Sequence, residues 1–142
     1  MKILRLSLSN LASIAGEQEI LFEQAPLAHA GLIAITGKTG AGKSTLLDAM
    51  CLALYDRVPR LNGAVGSIKD VGGADLSLKD PKHILRRGAT SGFAELEFIA
   101  LDGKRYQARW EVWRAHKKVD GKLKHERSIT CLDEQRVLNH KV

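Results

Sequence analysis

The stretch GKTGAGKS, residues 37–44, decides the fold, because it matches the pattern G-x-x-x-x-G-K-[ST] at every fixed position. Its glycines let the backbone wrap tightly and aim N–H groups at phosphate oxygens. A helix that begins near Lys43 adds the positive end of its dipole. The bland alternative is a glycine-rich turn with a purely structural role, and an apolar strand before the motif and a helix after it argue against that alternative.

The motif predicts a site for ATP and Mg²⁺. Lys43 would reach the β- and γ-phosphates and is the candidate catalytic residue, while the hydroxyl of Ser44 would bind Mg²⁺. Thr45 would add a hydrogen bond on the α-phosphate side. The residues predicted to bind the nucleotide are Gly37, Lys38, Thr39, Gly40, Ala41, Gly42, Lys43, Ser44 and Thr45.

The segments next to the motif predict an α/β unit. LIAIT, residues 32–36, is a short apolar run typical of a strand buried on both faces. Residues 43–55 are predicted to form a helix that is apolar almost all round, and therefore buried, with Pro59 stopping it. Residues 60–80 carry four glycines and are predicted to form a long, mobile surface loop.

The remaining sequence predicts antiparallel strands. Residues 3–9 alternate between apolar and polar side chains, and residues 17–22 would pair back on them. Residues 93–101 and 105–112 also alternate and are joined by Asp102-Gly103, a strong hairpin signal. Residues 127–133 would return as a third strand of this group, and the pattern indicates no further strand. No linker divides the chain, so residues 1–142 are expected to form one domain.

Composition narrows the function classes. Hydrophobic residues make up 44% of the chain and the formal net charge is +6, which fits either a solvated basic surface or an acidic partner such as nucleic acid. Cys51 and Cys131 are far apart and imply no disulfide framework. No signal peptide or membrane span is evident, so a reduced, cytoplasmic setting without membrane contact is expected.

A basic hairpin tip is the second candidate site. Its cations are Arg114, Lys117, Lys118, Lys122 and Lys124. A solvated hairpin end is the usual interpretation of such a group, and contact with the phosphate backbone of double-stranded DNA is the sharper one. The sequence alone leaves both open.

No run of apolar residues that ends in Asp follows the P-loop, although P-loop ATPases hold Mg²⁺ with such a carboxylate. The chain is therefore expected to be a fragment that binds nucleotide and is inactive in hydrolysis by itself.

Three segments together resemble the SbcC family, the ATPase subunits of the SbcCD nuclease. They are the opening KILRLSLSNLASIAG, the run GLIAITG, and GKTGAGKSTLLDAMCLALYDRVPRL. The resemblance implies the N-terminal lobe of an ABC-type ATPase head with an antiparallel β-subdomain, a P-loop NTPase fold. By position, Asn10 to Ser13, and Asn10 and Ser13 in particular, would lie beside the nucleotide.

The resemblance also implies partners. These are the C-terminal lobe of the same protein, a second head in a homodimer, an SbcD-like nuclease subunit and double-stranded DNA ends. ATP binding and hydrolysis would then gate DNA cleavage by the partner in repair and recombination. Two alternatives remain open: an ABC transporter-type ATPase domain, and a nucleic-acid-binding module with a vestigial P-loop.

Overall fold

A computed structural model of the chain describes residues 1–141, and the side chains of residues 1–138. Eight strands and one α-helix follow each other along the sequence, with short 3₁₀ turns between some of them. They are β1 (Lys2–Leu11), β2 (Ile14–Leu21), α1 (Lys43–Tyr55), β3 (Ser67–Lys69), β4 (Asp75–Ser77), β5 (Ser91–Ile99), β6 (Arg105–Arg114), β7 (Leu123–Cys131) and β8 (Arg136–Lys141). The helix has 13 residues, and no helix among the described residues is long and apolar enough to cross a membrane.

Six of the strands form one antiparallel sheet in the order β2-β1-β5-β6-β7-β8. Alternate residues of each strand point to one face, where α1 covers the sheet and the core forms. Trp110 is fully buried there, and its indole N–H donates to the Asp56 carboxylate at 2.7 Å, in the turn that ends α1. The helix that follows the P-loop is thus fixed to the sheet by apolar contacts and one buried hydrogen bond.

The opposite face of the sheet carries a network of charges. Glu95 and Glu97 point away from α1 and are still buried, with 8% of each residue exposed. Glu95 pairs with Arg5 and Arg109, at 2.6 Å in each case, and Glu97 pairs with Arg105 at 2.8 Å and with Arg5. Because these cations are already neutralised, the positive charge available to an acidic partner has to come from elsewhere in the chain.

Most sequence predictions of strands are confirmed. The strands predicted from alternation are β1, β2, β5, β6 and β7, although β7 begins four residues earlier than predicted. The helix over residues 43–55 and the short helical turn at Pro81–Ile84 are also present. The strand β8 was not predicted, because Arg136–Lys141 lacks a clear alternation.

The prediction of a buried strand at residues 32–36 is wrong for this chain. The segment forms no strand, and Leu32 is 91% exposed while Ile33 and Ile35 are each 39% exposed. A strand buried on both faces needs hydrogen-bonded neighbours, and the described residues offer this segment none.

Two further expectations are corrected. The helix α1 is buried on one side only, since Leu47 is 56% and Tyr55 64% exposed. Residues 60–80 are not a plain surface loop, because they contain the two-stranded β3–β4 hairpin. Gly72 of that hairpin packs so tightly that an added Cβ would lie 2.4 Å from the carbonyl oxygen of Asp120.

Candidate nucleotide-binding site

The P-loop adopts a backbone that only glycine accepts readily. Gly37, Gly40 and Gly42 have φ angles of 152°, 82° and 91°, all in the region that L side chains rarely adopt. Gly42 caps the N-terminus of α1, and no side chain caps the N–H groups of the first turn. These donors and the positive end of the helix dipole therefore point into a site suited to an anion.

Lys43 places its ammonium group against the loop. Its Nζ donates to the carbonyl oxygens of Gly37 at 2.7 Å and Lys38 at 2.8 Å. The cation thus lies beside the uncapped N–H groups rather than in solvent, where it adds to their attraction for phosphate oxygens.

A cleft of about 360 Å³ opens over the helix N-terminus. Three segments of the chain line it: the P-loop with the start of α1, the β1–β2 turn, and the turn after α1. The lining residues are Ala12, Ser13, Thr39, Gly40, Gly42, Lys43, Ser44, Thr45 and Arg60. Gly37, Lys38 and Ala41 belong to the same loop but do not line this cleft. Ser44 is exposed to it, whereas Thr45 is 4% exposed.

Arg60 is a cleft residue that the sequence did not single out. Its Nε and Nη2 atoms both contact Oδ2 of Asp48, at 2.8 and 2.6 Å. Asp48 lies one helical turn after Ser44 and is 5% exposed. A buried carboxylate on the P-loop helix was the signal that could have found Arg60, because such a group needs a cation nearby.

Asn10 does not line the cleft, contrary to its expected place beside the nucleotide. Its side-chain oxygen accepts from the backbone N–H of Gly16 at 2.9 Å, and its amide nitrogen donates to the carbonyl of Ser91 at 3.2 Å. With φ at 52°, Asn10 instead shapes the β1–β2 turn that brings Ser13 to the cleft.

The basic tip divides into one buried cation and four exposed ones. Arg114 is 8% exposed and makes a bidentate pair with Asp70 at 2.7 and 2.8 Å, so its place among the DNA-contacting residues is corrected. It also donates to the Gly121 carbonyl at 3.0 Å. Among the described residues, the exposed tip lysines form no ion pair: Lys117, Lys118, Lys122 and Lys124.

The Asp70–Arg114 pair fastens the β3–β4 hairpin to the tip. The guanidinium of Arg114 lowers the pKa of Asp70, chiefly through the side-chain hydrogen bond. Because the folded-state pKa lies below the unfolded one, the pair stabilises the fold fully above the unfolded pKa, and that stability is lost as pH falls through the folded pKa.

We therefore expect Asp70→Asn to lower the free energy of unfolding by about 2–4 kcal/mol at pH 7, because it leaves a buried guanidinium without its counter-charge. The difference from wild type should shrink as the pH falls below about 4. Urea unfolding of both forms at several pH values measures it, with Asp75→Asn, an exposed carboxylate on β4, as the control. A difference that is the same at all pH values would contradict the role of this ion pair.

A family model described as AAA domain matches residues 5–141, nearly the whole chain. The chain belongs to the AAA domain family. Two curated relatives of this AAA chain are each named as the SbcC subunit of the nuclease SbcCD. The protein from Pseudomonas aeruginosa is 54% identical over 140 residues, and the one from Rhodobacter capsulatus 51% over 141 residues. Each alignment covers 97% of the chain but only 12% and 11% of the relatives, so the chain spans about a ninth of their length.

More distant relatives extend the comparison. A DNA double-strand break repair Rad50 ATPase from Methanopyrus kandleri is 28% identical over 110 residues, which cover 78% of the chain and 10% of that protein. A solved SMC ATPase, studied for ATP-driven dimerization and DNA-stimulated activation, superposes with a TM-score of 0.60 at 18% identity, over 98% of this chain and 73% of that one. The resemblance to SbcC and the P-loop fold of an ATPase head are thereby confirmed.

Proposed function

We propose that this AAA chain is the N-terminal lobe of an ABC-type ATPase head and the ATP-binding part of a DNA-end-processing nuclease complex. The single observation that carries the proposal is the cleft over the α1 N-terminus. There uncapped backbone N–H groups, Lys43 and Arg60 converge on one side, and the Ser44 hydroxyl is accessible. Such a set of donors fits the triphosphate of ATP with its Mg²⁺.

Within this site each residue of the chain has a distinct role. The N–H groups of residues 37–45 would bind the phosphate oxygens, and Lys43 would stabilise charge on the β- and γ-phosphates. Ser44 would hold Mg²⁺, which supplies charge neutralisation between the same phosphates. Arg60, oriented by Asp48, brings a second cation to the cleft.

Hydrolysis would need groups from another part of the full-length protein. The sequence contains no apolar strand ending in Asp after the P-loop, and the exposed segment 32–36 has apolar side chains without strand neighbours. We infer that a C-terminal lobe of the same protein pairs with this segment and supplies the missing carboxylate. The ATPase activity then belongs to the full-length protein, acting in the cytoplasm.

The assembly is proposed from the relatives' names. An SbcC subunit of a nuclease SbcCD implies a partner that carries the nuclease, and the SMC ATPase comparison supports dimerising heads. ATP binding would then gate the cleavage of DNA by an SbcD-like partner, and the exposed lysines of the tip would contact the phosphates of double-stranded DNA near its ends. These relatives also favour this function over a transporter ATPase.

Removing the Ser44 hydroxyl tests the Mg·ATP site. We expect Ser44→Ala to weaken ATP binding about tenfold in the presence of Mg²⁺, because a metal ligand is lost. In EDTA the two proteins should bind ATP within about twofold of each other. Calorimetric titration of the full-length protein measures both. Ser67→Ala, which removes an exposed hydroxyl on β3, is the control. An equal loss with and without Mg²⁺ would contradict the metal-binding role.

A further inference from the structure

The turn between β1 and β2 forms one wall of the proposed nucleotide cleft, through Ala12 and Ser13. This turn has an unfavourable backbone, because Asn10 and Ala12 have φ angles of 52° and 46° although neither is glycine. Such a conformation persists only where surrounding contacts fix it. The shape of this wall therefore depends on what holds the turn from outside.

The segment that precedes β5 holds it. The N–H of Ala12 donates to the carbonyl of Ile84 at 2.7 Å, and the N–H of Arg86 donates to the carbonyl of Asn10 at 2.9 Å. The side chain of Arg86 then reaches over the turn. Its Nη1 donates to the carbonyl oxygens of Ser13 at 2.8 Å and Ala12 at 3.3 Å. Arg86 is thus the side chain that ties the two wall residues to the sheet.

The wall has a different chemistry from the rest of the cleft. The cations and free N–H groups suited to phosphate come from residues 37–45 and from Arg60. The β1–β2 turn adds a methyl group and a neutral hydroxyl. It also lies directly against the helix N-terminus, since an added Cβ at Gly42 would be 3.1 Å from Ile14 and 3.5 Å from the Ser13 hydroxyl. A neutral surface next to a phosphate site suits the ribose and base of a nucleotide.

We propose that Arg86 is a positioning residue that fixes the wall of the cleft contacting the nucleoside half of ATP. It acts through the backbone carbonyls of Ala12 and Ser13 and does not touch the nucleotide itself. The inference rests on the proposed function, because it requires the cleft to bind ATP.

The test compares a nucleotide with its phosphate chain alone. The full-length protein is titrated with Mg·ATP, Mg·ADP and inorganic tripolyphosphate, as wild type and as Arg86→Ala, Arg86→Lys and Arg87→Ala. We expect Arg86→Ala to weaken ATP and ADP binding about tenfold while tripolyphosphate binding stays within about twofold. Arg86→Lys, which keeps a charged donor, should restore part of the loss. Arg87 is exposed and next in sequence, and its variant should match wild type for all three ligands.

Each other outcome overturns the inference. Arg86→Ala with wild-type affinity for ATP would mean that the turn keeps its shape without this side chain. An equal loss of tripolyphosphate and ATP would mean that Arg86 supports the whole fold or the phosphate site, not the nucleoside wall. Wild-type protein that binds none of the three ligands would instead refute the proposed function, so the two failures are distinguishable.

Discussion

Replacing Lys117, Lys118 and Lys122 by glutamine should weaken duplex DNA binding by the full-length protein and reduce its dependence on salt. The three lysines are exposed at the β6–β7 tip and form no ion pair among the described residues. The tip has a fixed shape, because Arg114 contacts both Asp70 and the Gly121 carbonyl. Each phosphate contact that is lost retains its counterions, so the slope of log K against log salt should flatten by about 0.9 per contact, up to about 3 in total.

Duplex affinity measured at several salt concentrations gives this slope. A charge-matched control replaces three exposed cations elsewhere by glutamine, namely Lys2, Lys79 and Arg136. If the loss came only from a lower net charge, both triple variants would shift the affinity equally. Wild-type slope and affinity in the tip variant would leave these lysines as ordinary solvated surface, and the DNA site would have to lie elsewhere.

The sequence predicted those elements whose signals are local. Strand alternation in residues 93–112 and the Asp102-Gly103 turn specify the β5–β6 hairpin, and the P-loop pattern locates the start of α1 at Lys43. These features depend on nearest neighbours in the chain. Their prediction therefore needs no knowledge of what packs against them.

The sequence failed where long-range contacts decide. Segment 32–36 has the composition of a buried strand, yet a strand exists only when another strand pairs with it, and none of the described strands does. The two long-range ion pairs were also missed. Asp48–Arg60 brings a cation into the cleft, and Asp70–Arg114 removes one from the tip, because charges 12 and 44 residues apart carry no periodic signal.

Lys43→Ala should reduce ATP affinity by about 100-fold or more, the largest effect expected in the cleft. The ammonium group lies on the Gly37 and Lys38 carbonyls beside the uncapped start of α1, where it can reach the phosphates with little side-chain rearrangement. Alanine keeps the helix, because its helix propensity is the highest of all residues. The loss should therefore reflect the missing charge and not a disrupted fold.

The central claim, that the cleft over the α1 N-terminus binds ATP, is tested most directly by calorimetric titration of a non-hydrolysable ATP analogue with Mg²⁺ into the full-length protein. Wild type and Lys43→Ala are compared at the same concentration, with Lys79→Ala, an exposed lysine outside the cleft, as the control. We expect saturable binding by wild type and the control, and binding too weak to saturate by a Lys43→Ala protein with an unchanged melting temperature. A folded Lys43→Ala protein that binds the analogue as tightly as wild type would contradict the claim.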